Sequence, residues 1–178
     1  TINDKLMTNQ TQIDQNRRLL GISNTYLKGQ PPLSHAKDAI EELLAEVEPI
    51  VLLPYALADM DKYADILKEA FLFVGITQVV SLHTAPGREE ELLEKAGAVF
   101  IGGGNTSRLL ANLHCLRHHD GSLVDPRPAA AQTPLIEILR RRAAEGMPVL
   151  GASAGTNVMC GDIRTTNDMH VAAQRLEG

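Results

Sequence analysis

The sequence predicts an α/β fold: a three-layer, open, mostly parallel sheet with helices on both faces. Three observations point to it. Five short apolar runs recur along the chain, at residues 19–22, 49–53, 79–82, 98–101 and 148–151. They are nearly continuous rather than alternating, as in strands covered on both faces. Apolar residues at helical spacing fill the segments between them, and strand alternating with helix implies parallel pairing through right-handed crossovers.

Each element has its own signal. Residues 1–16 are polar and aperiodic and read as an N-terminal tail, leaving residues 17–178 as one α/β domain. After the first run, Ala36, Ala39, Ile40, Leu43, Leu44 and Val47 repeat at helical spacing, with Glu41, Glu42 and Glu46 on the opposite face. After the second, Met60, Tyr63, Ala64, Leu67, Ala70 and Phe71 do the same, with Asp59 as the N-cap. Thr133 and Pro134 read as an N-cap and a first helical proline, and Gly146 as the stop of that helix. Residues 117–133 hold two prolines and little periodicity, and read as a loop insertion.

Composition excludes several function classes. With 178 residues, 44% hydrophobic and 22% charged, the chain is an ordinary globular one rather than disordered or fibrous. A net charge of −5 with no basic stripe argues against a nucleic-acid partner. The longest mostly apolar run, residues 49–58, is broken by Pro54 and falls short of the ~20 residues of a membrane helix. The first 18 residues lack the apolar core of a signal peptide. Cys115 and Cys160 make no disulfide framework, so the expected compartment is reducing and cytoplasmic.

Two turns carry the chemistry. Gly102-Gly103-Gly104-Asn105-Thr106 ends the fourth run and opens a helix. Its glycines permit a tight turn and close approach of a ligand to backbone N–H groups. The spacing is not that of a dinucleotide fingerprint, and no Walker lysine follows. A capped strand-to-helix turn and an anion or oxyanion cradle both remain open.

Gly151-Ala152-Ser153-Ala154-Gly155 follows the fifth run and matches G-x-S-x-G in its strand-to-helix context. There a sharp turn projects the serine hydroxyl at the carboxyl edge of the sheet. Ala154 N–H is one natural oxyanion donor, and Gly103 or Gly104, on the same edge, the other. The plain alternative is that Ser153 caps a helix in a small-residue turn.

A serine nucleophile needs a general base, usually a histidine. His35 opens the first helix and reads as a surface residue; His114 ends the helix after the glycine turn, toward the opposite edge. His118 and His119 fall in the 117–133 loop. His83 follows the third strand on the correct edge, and His170 lies C-terminal to Ser153, as the serine-then-histidine order requires. Asn105, Thr106, Thr165, Thr166, Asn167 and Asp168 are short polar groups that either orient substrate or make turn hydrogen bonds. Arg164 reads as the partner of a nearby aspartate, Cys160 as a buried small hydrophobe, and Arg140, Arg141 and Arg142 as a solvated helix face.

Several segments together resemble peptidase E, the α-aspartyl dipeptidase family of serine peptidases. They are Leu20-Gly21-Ile22-Ser23-Asn24-Thr25, the glycine turn with Leu109-Leu110, and the elbow continuing through Thr156, Asn157 and Cys160 into Ile163-Arg164-Thr165-Thr166-Asn167-Asp168-Met169. The resemblance covers residues 17–169. It implies a flavodoxin-like sheet similar to class I glutamine amidotransferase domains, with serine in place of their cysteine. It also implies hydrolysis of dipeptides with an N-terminal aspartate, Ser153 as nucleophile, and neither metal nor cofactor. The family's histidine, acidic partner and substrate-binding arginine come further along than Gly178, and His170 stands where the family usually has proline, so the resemblance does not make it the base. The chain is accordingly expected to be either a fragment or a short homologue that lost the chemistry or borrows a base. Missing strands would leave apolar surface and favour a homo-oligomer. A non-catalytic binding or scaffold module and a cyanophycinase-like hydrolase are the rival readings; the G-G-G-N-T turn favours peptidase E over the latter.

Overall fold

All five apolar runs fold as strands, and every pairing between them is parallel. The computed structural model describes residues 16–45, 47–114 and 134–160. In chain order the elements are β1 (Leu19–Ile22), a 3-10 turn (Ser34–Ala36), α1 (Lys37–Leu44), β2 (Ile50–Leu53), α2 (Met60–Phe73), β3 (Val79–Ser81), a second 3-10 turn (Leu82–Thr84), α3 (Glu89–Lys95), β4 (Ala98–Ile101), α4 (Thr106–Leu113), α5 (Leu135–Ala144), β5 (Val149–Ala152) and α6 (Ala154–Met159). The strand order is β1-β5-β4-β2-β3.

Three layers follow from the strands' alternation. Val51, Leu53, Val99, Ile101 and Val149 point into one core, with Leu93 of α3, Leu109 of α4, Leu139 of α5 and Ala154 of α6. Their neighbours Ile50, Leu52, Ala98, Phe100 and Leu150 point into the other, with Ile40 of α1 and Leu67 and Phe71 of α2. Successive strand residues face opposite sides, so an unbroken apolar run feeds both cores. On the second face the Phe71 and Phe100 rings meet edge to face, 5.4 Å apart at 84°.

Helix limits follow local chemistry. Asp59 caps α2 as expected, its side chain accepting from Lys62 N–H at 3.2 Å. Gly146 ends α5 at φ 99°, donating its N–H to Ala143 O. Pro134 corrects one expectation: it is the residue before the first turn of α5, which begins at Leu135, and Thr133 lies outside the described residues. Helix α1 ends at Leu44, short of Val47, where Ala45 leaves the helical conformation at ψ 117°. The arginine run clasps α5 to its neighbours: Arg141 bonds Glu94 of α3 and Glu145, and Arg142 donates to Ala96 O at 2.9 Å. Among the described residues, no helix is long and apolar enough to cross a membrane.

Since all strands run the same way, their C-terminal ends share one edge. The turns after β4 and β5 leave that edge side by side, because those two strands are neighbours.

Candidate active site

Ser153 sits between β5 and α6 at φ 51°, ψ −110°. Residues with a Cβ rarely adopt that region, and holding one there costs about 1–3 kcal/mol. The fold imposes it from both sides. Ser153 N–H donates to Ile22 O at 2.9 Å, and Ser153 O accepts from Asn157 N–H at 3.0 Å. Its side chain is exposed and makes no capping hydrogen bond. Ser153 thus holds the N-cap position of α6 without capping it through its hydroxyl, which is left free for chemistry. Ala152 and Ala154 on either side are fully buried.

The glycines of the elbow answer to packing. A Cβ on Gly151 would lie 2.6 Å from the Gly155 carbonyl, and one on Gly155 would lie 2.0 Å from Ile101 O of β4. Only bare backbone lets α6 rest this close to both strands. Thr156 completes the seat, its Oγ1 standing 2.8 Å from both Ile22 O and Gly151 O and sharing one proton between them. Thr156→Val keeps the shape and removes that proton. It is expected to cost about 1–2 kcal/mol in urea unfolding; no change would mean that the hydroxyl is dispensable.

The triple-glycine turn lies against the elbow. A Cβ on Gly103 would stand 3.2 Å from both Ala152 O and Ser153 Cβ. Gly104, at φ 140°, packs on Ala56 O, where a Cβ would come within 2.6 Å. The structure corrects one expected oxyanion donor: Gly103 N–H is committed to the Tyr63 hydroxyl at 3.0 Å. Gly104 is exposed, and its N–H has no partner among the described residues.

The polar residues beside the turn act in its construction. Asn105 caps α4, its Oδ1 accepting from Arg108 N–H at 2.8 Å, while its own N–H donates to Ala56 O at 3.0 Å. Thr106 is fully buried, and its Oγ1 accepts from Asn157 Nδ2 at 3.2 Å. Both residues thus hold the turn and its helix in place. Asn157 ties α6 to α4, a role the sequence reading did not give it. Its one signal was its place a turn after Ser153. Cys160 is exposed rather than buried, with its thiol 3.4 Å from Thr156 O.

The histidines divide clearly. His83 is held between Ser81 Oγ, 2.7 Å from its Nδ1, and Asp61 Oδ1, 2.9 Å from its Nε2. It follows β3, three strands across from β5, or about 14 Å at the usual interstrand spacing. His83 therefore shares the edge with Ser153 without reaching it. His114 ends α4, eight residues from its start, which is about 12 Å away from the turn. His35 is exposed in the 3-10 turn after β1. His118, His119, Arg164, Thr165, Thr166, Asn167, Asp168 and His170 lie outside the described residues.

The chain is similar to known proteins. The sequence model of peptidase family S51 matches residues 19–121 and 129–178. A probable alpha-aspartyl dipeptidase of Drosophila melanogaster is 41% identical over 158 residues, covering 88% of this chain and 58% of that protein. Peptidase E of Streptomyces coelicolor is 37% identical over 153 residues, covering 86% and 55%. The chain thus spans somewhat more than half the length of these curated relatives. The crystal structure of a peptidase from an acI-B1 actinobacterium superposes with a TM-score of 0.51 at 17% identity, over 79% of this chain and 55% of that one, a likeness of fold. The match runs through both bends and all five strands, and on it the chain belongs to peptidase family S51.

Proposed function

We propose that the protein is a serine peptidase hydrolysing dipeptides with an N-terminal aspartate. The observation that carries this reading is Ser153 itself: exposed, held at φ 51° and free of a capping bond, with the glycine turn against its back. The relatives, a probable alpha-aspartyl dipeptidase and a peptidase E, suggest the substrate class.

In this mechanism Ser153 Oγ attacks the carbonyl of the aspartyl residue and gives its proton to a base. Ala154 N–H and Gly104 N–H receive the oxyanion. Collapse expels the second amino acid as its amine, which takes the proton, and water then hydrolyses the acyl-serine. His83 and His114 are placed away from Ser153 and do not serve as that base. His170 is the candidate within this sequence, with Asn167 and Asp168 beside it as substrate-binding residues. No step calls for a metal or cofactor, and a chain with two cysteines suits the cytoplasm.

Turnover of Asp-Leu beside Glu-Leu and Leu-Leu tests the assignment. Asp-Leu is expected to be the best substrate, with kcat/KM about 10–200-fold above Glu-Leu, the discrimination one methylene provides. Equal rates on all three would remove the specificity. Binding of Asp-Leu without turnover, by a chain that fluorophosphonate does not label, would establish the scaffold reading. That reading has one observation in its favour: among the described residues, no side chain hydrogen-bonds the Ser153 hydroxyl.

A further inference from the structure

Tyr63 belongs to α2, yet its phenol reaches the back of the glycine turn. Its ring closes on Gly102, where a Cβ would come within 2.5 Å of Cε1. Its hydroxyl accepts Gly103 N–H at 3.0 Å and stands 3.5 Å from Thr25 Oγ1, in the loop leaving β1. Tyr63 and Thr25 are both buried, at 6% and 5% exposure, so water competes little for these bonds.

Consecutive amides of the turn thus have different fates. Gly103 N–H is anchored on Tyr63, and Asn105 N–H is anchored on Ala56 O at 3.0 Å. Gly104 N–H lies between them without a partner among the described residues. Three successive glycines give a backbone its greatest freedom, and a peptide there flips readily unless something holds it. The two anchors hold the 102–103 and 104–105 peptides that bracket the one carrying Gly104 N–H, so loss of the first frees the turn to carry Gly104 N–H away from where an oxyanion needs a donor.

We infer that Tyr63 is a positioning residue for the reaction: by holding Gly103 N–H, it sets the turn so that Gly104 N–H is its oxyanion donor. The inference rests on the serine-peptidase reading. It adds a side chain that touches neither substrate nor reacting atoms. Preorganised donors need no rearrangement as charge develops, which is why their orientation appears in kcat.

Tyr63→Phe keeps the ring against Gly102 and removes the anchor. Activity is measured per active site titrated with fluorophosphonate, so loss of folded protein does not count. The expected result is a fall in kcat on Asp-Leu of about 10–100-fold, somewhat less than removal of a donor outright, with KM within about twofold. Hydrogen exchange at the Gly103 amide is expected to accelerate in the same variant. A merely structural role would lower the unfolding midpoint and leave kcat per titrated site untouched. An unchanged kcat, or an unchanged Gly103 exchange rate, overturns the inference while wild-type activity keeps the enzymatic reading intact. A wild-type chain that neither turns over Asp-Leu nor labels would overturn the enzymatic reading and this inference with it.

Discussion

Ser153→Ala is expected to abolish Asp-Leu hydrolysis and fluorophosphonate labelling together, while leaving the urea midpoint where it was. The chemistry and the fold separate at this residue because the hydroxyl has no structural work among the described residues. The bonds that hold the elbow, to Ile22 O and from Asn157 N–H, are backbone bonds that alanine keeps. Alanine also keeps the Cβ, so the cost of φ 51° stays. What goes is the nucleophile, and losses for such residues run to about 10⁴–10⁶ in kcat. Ser153→Gly makes the complementary measurement. It deletes the same hydroxyl and also releases the backbone, recovering about 1–3 kcal/mol of strain against about 0.5–1 kcal/mol of added unfolded-state entropy. The glycine variant is therefore expected to be as inactive as the alanine variant but about 1 kcal/mol more stable. Residual hydrolysis by Ser153→Ala would remove the mechanism. A glycine variant no more stable than wild type would remove the strain.

The sequence shows the strands for a physical reason. Burial on both faces writes itself into a parallel strand as an unbroken apolar run, so residues 19–22 and 98–101 fold as β1 and β4 without adjustment. Helix α3 escapes that reading, because Glu89–Lys95 holds only two apolar residues, Leu92 and Leu93. Lateral order is not local at all. Crossovers insert β5 between β4 and β1 and send β3 to the far edge, which makes His83 a neighbour of Asp61 rather than of Ser153. Both bends were legible, since a strand ending in small residues and opening a helix has few other uses. Which amide of the glycine turn faces outward was not. That depends on a tyrosine hydroxyl 40 residues away, and at that distance Tyr63 reads as one more core residue of a helical period. Thr106 and Asn157 show the same limit, since their mutual bond exists only once α4 and α6 lie together.

Gly155→Ala is expected to destabilise the protein by about 3 kcal/mol and to stop serine labelling, although alanine is the better helix former. Two effects oppose each other at this position. Alanine is favoured over glycine by about 1 kcal/mol in a helix interior, an upper bound for Gly155, the second residue of α6. Against that, the new methyl would sit 2.0 Å from Ile101 O and 2.7 Å from the carbonyl carbon behind it. Both atoms are backbone of β4, a fully buried strand held in register by β2 and β5. No rotamer relieves the contact, so α6 must lift. Overpacking of an unyielding site costs about 1–3 kcal/mol and occasionally more; against strand backbone that cannot turn aside, the upper end applies and the clash wins. Lifting α6 also weakens the Asn157 bond that holds the Ser153 carbonyl, which lets the elbow relax from φ 51°. Gly29→Ala is the control: φ there is +80°, but nothing lies within 4 Å of the added carbon, so conformational strain alone costs about 1 kcal/mol. Urea unfolding of the two variants, with fluorophosphonate labelling of each, decides the matter. A Gly155→Ala protein as stable as wild type would mean that α6 does not rest on β4 as closely as the structure places it.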